Sequence, residues 1–188
     1  MMRLFIAIKL PALLRDNLCR QLDILKKEIN AGLKWVKKDH YHITLRFLGE
    51  VKGDKIFDIK KAIDIVAQGT AIAPLLFKGS GAFPYPDNPK IFYLGVDKGE
   101  DYLKIIHYKL EDELVKIGFK REDRSYTPHI TLARSRRNTD MKRLSRDIKE
   151  LMNKEFFVGE MVLEKISLIK SELKSDGPVY QDIYSVSL

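Results

Sequence analysis

Apolar and polar positions along the chain fall into two copies of one plan. "RLFIAIKL" (3–10) is a continuous apolar run of strand length, followed by Pro11 and then by Leu14, Leu18, Leu22, Leu25 and Ile29 at helical spacing. Gly32 marks the end of that helix, and "YHITLRFL" (41–48) follows as a second strand. Further on, "KIFYLGV" (90–96) is again a strand, Leu103, Ile106, Leu110, Leu114 and Ile117 again trace a helix, and Gly118 closes it. "HITLA" (129–133) is then the matching second strand. The shift that superimposes the first strands also superimposes His42 on His129 to within a residue.

Each unit continues alike. A helix carrying Ile56, Ile59, Ile63 and Val66 and a strand near 73–79 follow the first. A helix carrying Leu144, Ile148 and Leu151 and strands near 156–170 follow the second, before a last strand at 179–188. "GSGAFPYPDNP" (79–89), dense in Gly and Pro, predicts a loop between the halves, too short for a free linker. The expected architecture is α+β: a single bilobal domain over 1–188, with a pseudo-repeat at 3–79 and 90–170 and two similar, mainly antiparallel sheets backed by outer helices around a central groove.

Charge narrows the partner. The 188 residues hold 34 Lys and Arg against 26 Asp and Glu, a formal charge of +8, which favours an anionic partner; "RSRRNTDMKRLSR" (134–146) is a local concentration that reads equally as steering for a polyanion or as a solvated loop and helix start. Cys19 is the one cysteine and cannot form an internal disulfide, which suits a reducing cytosol. Lys9 and Pro11 break the N-terminal apolar run too early for a signal peptide, and no apolar stretch is long enough to span a bilayer. A cytoplasmic protein without membrane attachment or an obligate protein partner is expected.

Strand alternation puts His42 and Thr44 on one face and Ile43 and Leu45 on the other; His129 and Thr131 repeat this against Ile130 and Leu132. If the halves face one another, two imidazoles and two hydroxyls converge. One imidazole can then take a proton from a nucleophile while the other gives one to a leaving group. The threonine hydroxyls can donate to phosphate oxygens as charge builds there. This suits phosphodiester transfer driven by proton movement alone. His40 and His42 lack the companions of a metal-ligand set, and "GSGAFP" lacks the strand-then-helix context of a phosphate loop, so neither metal nor cofactor is expected. His107, within a helix, reads as structural.

The chain resembles the two-histidine phosphoesterases, and among them the RNA 2′,3′-cyclic phosphodiesterases, also called 2′-5′ RNA ligases. The resemblance rests on "MRLFIAIKLP", "WVKKDHYHITLRFLGEV" (35–51), "NPKIFYLGV" (88–96), "TPHITLAR" (127–134) and "GPVYQDIYSVSL" (177–188), which run the full length in the family's order. It implies metal-independent hydrolysis of RNA 2′,3′-cyclic phosphate ends to 2′-phosphates, with 2′-5′ ligation as a secondary activity. It also implies that His42 is the general acid and His129 the general base, an assignment the internal symmetry leaves interchangeable, with Thr44 and Thr131 on the phosphate. Phe47 and Arg134, each five residues past a histidine, resemble the family's clamp on the terminal base. Strict alternation puts them on the wrong face, so the clamp requires the strand to end, twist or bulge by then, with Phe47 in the core as the competing reading, whereas Arg46 falls on the His42 face as a rival phosphate contact. The competing readings are a nucleotide- or RNA-binding module without turnover and a cyclic phosphodiesterase acting on a small nucleotide.

Overall fold

The computed structural model describes residues 1–29, 32–154, 156–175 and 177–188. In chain order the elements are β1 (Met2–Lys9), α1 (Ala12–Glu28), β2 (Leu33–Trp35), β3 (His42–Val51), α2 (Ile56–Gln68), β4 (Ala73–Lys78), β5 (Ser80–Phe83), β6 (Ile91–Gly95), α3 (Glu100–Lys116), β7 (His129–Ser135), α4 (Met141–Met152), β8 (Phe157–Leu163), β9 (Lys165–Lys174) and β10 (Gly177–Ser187). Short 3₁₀ turns at Lys38–His40 and Gly53–Lys55 flank β3.

Eight strands form one ladder in the order β10, β9, β1, β3, β7, β6, β5, with β2 added beside β7, while β4 and β8 pair apart from it. The two four-stranded halves meet at a single pair, Ile43 with Ile130. All pairings are antiparallel, and β1 lies on β3 as β6 lies on β7. Beyond these units the chain exchanges strands: the C-terminal β9 and β10 complete the half that holds β1, and β2 and β5 complete the half that holds β7. The Gly and Pro content of 79–89 concealed β5, which pairs with β6 from Ser80 opposite Leu94 to Phe83 opposite Ile91; the segment is therefore partly strand rather than loop throughout. β2 is a further strand that the three-residue pattern Leu33–Trp35 was too short to announce.

Both faces of the sheet are put to use. One face gives Leu4, Ile6, Ile8, Ile43, Leu45, Leu94, Ile130 and Leu132 to a single buried core shared with the helices. On the opposite face Phe5, Ala7 and Ile169 form a small separate cluster against Tyr180. Burial on both sides explains why β1 reads as an unbroken apolar run. α3 ends where Gly118 takes a positive φ of 93°, and the amides of Gly118 and Phe119 return to the carbonyls of Val115 and Leu114. α4 begins inside the basic stretch, where the Asp140 side chain accepts from the amides of Lys142 and Arg143.

Candidate active site

The Ile43–Ile130 pair sets the centre. Antiparallel order about it brings His42 to the side of Thr131 and Thr44 to the side of His129, with all four on the face away from the core. His42 Nδ1 hydrogen-bonds the carbonyl of His40 at 2.6 Å, and His129 Nδ1 the carbonyl of Thr127 at 2.8 Å. A carbonyl only accepts, so Nδ1 carries the hydrogen in both rings and Nε2 of each is left with its lone pair, turned away from the backbone. The two imidazoles are thus in the same tautomer and oriented by the same contact, two residues upstream.

Aromatic rings wall both histidines. Phe5 and Tyr180 lie 4.9 and 5.5 Å from His42, and Phe83 and Tyr93 lie 4.9 and 5.3 Å from His129, centroid to centroid. Gly81 makes room for this arrangement, since a Cβ there would overlap the Tyr93 ring and hydroxyl. Burial among these rings disfavours the imidazolium: it pulls His42 down to about 4 and lowers His129, against the opposing help of the Nδ1 contacts. The neighbouring His129 lowers His42 further, so two positive imidazoles do not coexist comfortably. These four aromatics escaped the sequence reading because strand alternation shows which face a ring takes but not which ring it meets.

The alternation problem at Phe47 and Arg134 is solved twice in the same way. In β3 the register passes from Ala7 opposite Thr44 to Ile6 opposite Arg46, skipping Leu45; in β7 it passes from Tyr93 opposite Thr131 to Phe92 opposite Ala133, skipping Leu132. Each bulge lies three residues past its histidine and reverses the faces beyond it. Phe47 therefore pairs with Phe5 on the His42 face, with ring centroids 5.8 Å apart, and is 55% exposed; Arg134 pairs with Ile91 on the His129 face and is also exposed. The positive charge of Arg134 reaches both histidines.

The same bulge overturns the reading of Arg46 as a phosphate contact. It turns Arg46 to the face of Ile6, where its guanidinium pairs with the buried carboxylate of Glu111, with Glu122 at 3.3 Å and with the Lys120 carbonyl at 2.6 Å. Simple alternation failed because it counted through Leu45 as an ordinary strand residue. His40 lies in the turn before β3, its ring 4.6 Å from Tyr180, and lines with Lys9, Arg15, Tyr180 and Asp182 a recess of about 360 Å³ beside His42. A larger recess of about 550 Å³ between α2 and α3, lined by Ile65, Lys109, Asp112 and Arg121, holds none of these residues.

A bilobal α+β fold with a His-x-Thr strand in each half defines a two-histidine phosphoesterase. The chain belongs to the 2′-5′ RNA ligase superfamily, whose sequence model matches residues 14–174. It is 35% identical to an RNA 2′,3′-cyclic phosphodiesterase of Methanothermobacter thermautotrophicus over 96% of both chains, and 32% identical to one of Methanocaldococcus jannaschii over 97% of this chain and 98% of that one. The crystal structure of TT0787 of Thermus thermophilus superimposes with a TM-score of 0.79 at 25% identity, covering 100% of this chain and 98% of that one. Among the described residues no helix is long and apolar enough to cross a membrane.

Proposed function

We propose that this protein hydrolyses the 2′,3′-cyclic phosphate ends of RNA to 2′-phosphates by proton transfer between its two histidines. The observation that carries the reading is their equivalence: both hold Nδ1–H on a carbonyl and both offer Nε2 from adjacent strands. His129 Nε2 takes a proton from water as its oxygen attacks phosphorus. The P–O3′ bond breaks, and His42 Nε2–H gives its proton to the departing O3′, leaving a 2′-phosphomonoester and a 3′-hydroxyl. Solvent exchange then returns the proton to His42. Thr44 and Thr131 donate to the non-bridging oxygens, where negative charge grows.

Lowered histidine affinities fit an anionic substrate. In the free site both rings favour the neutral form; a phosphate monoanion between them raises both and so stabilises the protonated acid in the complex. Phe47 and Arg134 supply an aromatic face and a guanidinium plane on the same side for stacking the terminal base. With an RNA 5′-hydroxyl in place of water, the same displacement forms a 2′-5′ bond, the secondary activity.

The test is incubation with a short RNA ending in a 2′,3′-cyclic phosphate, with chelator present, followed by analysis of the terminus. The expected product is a 2′-phosphate. A 3′-phosphate would reverse the leaving oxygen and the acid–base roles, and tight binding without turnover would replace the enzyme by a binding module. Faster turnover of a mononucleoside cyclic phosphate than of the RNA end would move the substrate to small nucleotides.

A further inference from the structure

The bulge that turns Phe47 toward the groove leaves the carbonyls of Thr44 and Leu45 beyond the single pair that joins β3 to β7. Side chains satisfy both. Tyr126 Oη donates to the Thr44 carbonyl at 3.0 Å, and His107 Nδ1–H donates to the Leu45 carbonyl at 2.8 Å. The two rings that do this are stacked on each other, centroids 4.1 Å apart and 10° from parallel. One helical turn along α3 from His107, Glu111 takes the guanidinium of Arg46 and also accepts from the amide of Glu122 at 2.8 Å. His107 and Glu111 are 4% and 1% exposed, in a helix face otherwise apolar. A buried histidine and a buried carboxylate are costly there unless their partners are fixed.

We infer that His107, Glu111 and Tyr126 form a brace that holds the β3 bulge, with Arg46 as its anchor, and so position Phe47 for the terminal base. These are positioning residues, since none of them lies on the groove face of the sheet. Arg46 also donates to the carbonyl of Phe47 at 2.7 Å, so the brace reaches the residue it places. Tyr126 lies three residues before His129, and the segment from Lys120 to Tyr126 is fastened to β3 at both ends, at Arg46 and at Thr44. The brace therefore also ties the approach to the second motif to the strand of the first. This inference rests on the stacking role proposed above for Phe47.

His107→Phe keeps the ring stack and removes the donor to Leu45. Amide hydrogen exchange at residues 45–48 should accelerate while that at 132–135, the equivalent stretch of β7, stays as in the wild type. In the same variant kcat/KM for adenosine 2′,3′-cyclic phosphate should fall about tenfold, mainly through KM, while that for ribose 2′,3′-cyclic phosphate lacking the base should hold. Phe47→Ala should show the same base-dependent loss, and the double variant should be no worse than Phe47→Ala. Unchanged exchange at 45–48, or losses that add with Phe47→Ala, overturns the brace. A Phe47→Ala enzyme with no base-dependent loss overturns the stacking role itself, and the positioning inference with it. Should His107→Phe fail to fold, Tyr126→Phe, which removes the donor to Thr44 and keeps the ring, submits to the same readings.

Discussion

The β3 and β7 halves make the same bulge and support it with different materials. The Leu132 carbonyl accepts the Val36 amide at 2.9 Å, a backbone contact supplied by the chain just beyond β2; the Leu45 carbonyl accepts a side-chain donor, His107, from a helix. One position further, β7 turns the fully buried Ala133 to the core, whereas β3 turns Arg46 there and pairs it with Glu111. What the halves share is the reversal of faces between the threonine and the fifth residue after the histidine. The support is free to differ because a bulge needs only its freed polar groups satisfied, and any donor will serve. The difference makes the β7 half a structure of backbone and apolar packing, and the β3 half one of buried charge.

The largest effects should fall where the halves agree. His42→Ala and His129→Ala should each lower kcat on the cyclic phosphate by about a thousandfold, with unfolding midpoints near or above that of the wild type. Near-full activity in either would end the paired-histidine mechanism. The next test addresses the difference. Glu111→Ala leaves the Arg46 guanidinium buried without its main partner and should cost about 3 kcal/mol in denaturant unfolding. Arg46→Met with Glu111→Leu, which gives β3 the apolar filling that β7 has at Ala133, should recover most of that loss. A double variant as unstable as the single one would mean that the charge is required for packing as well as for support.

How much of this was legible in the sequence follows from the range of the forces involved. Helical spacing and apolar runs are local, so β1, α1, β3, β6, α3 and β7 stand out in the chain, as do the His-x-Thr pairs within them. β2 and β5 owe their strand form to partners distant in sequence, β7 and β6, and no local period marks them. The bulges are of the same kind. Leu45 and Leu132 look like ordinary core positions, and only the register against β1 and β6 shows that they are skipped. Arg46 was misread for that reason. His107 could be read as a structural histidine in a helix, but its acceptor 62 residues away could not.

Smaller effects probe the symmetry at the threonines. Thr44→Val and Thr131→Val keep the strand shape and each remove a hydroxyl proposed to donate to phosphate, so each should lower kcat/KM by about tenfold to a hundredfold. If transition-state charge is shared between the two non-bridging oxygens, the two losses should be similar, and the comparison is sharpened by whichever side proves the more sensitive. Equal activity of both variants with the wild type would remove the threonines from the reaction.

The pH dependence follows from the burial of both rings. In the proposed mechanism the free enzyme needs one neutral and one protonated imidazole for turnover. Both rings are shifted below their ordinary range by burial, so the kcat/KM maximum should lie below pH 6.5 and the alkaline limb should begin there as the acid loses its proton. The profile of kcat should lie at higher pH, because bound phosphate raises both groups. Stability follows the same shifts with a definite sign. Above about pH 6.5 His42 is neutral whether folded or not and contributes no penalty. Between there and about 4 the unfolded chain takes up a proton that the folded site refuses, so stability is lost as pH falls, by up to about 3 kcal/mol for this one group once both states are protonated. Urea unfolding at pH 7.5 and 4.5 should show the loss, and His42→Ala should reduce it. An acid loss as large in that variant would place the titration elsewhere in the molecule and leave the burial of His42 without energetic consequence.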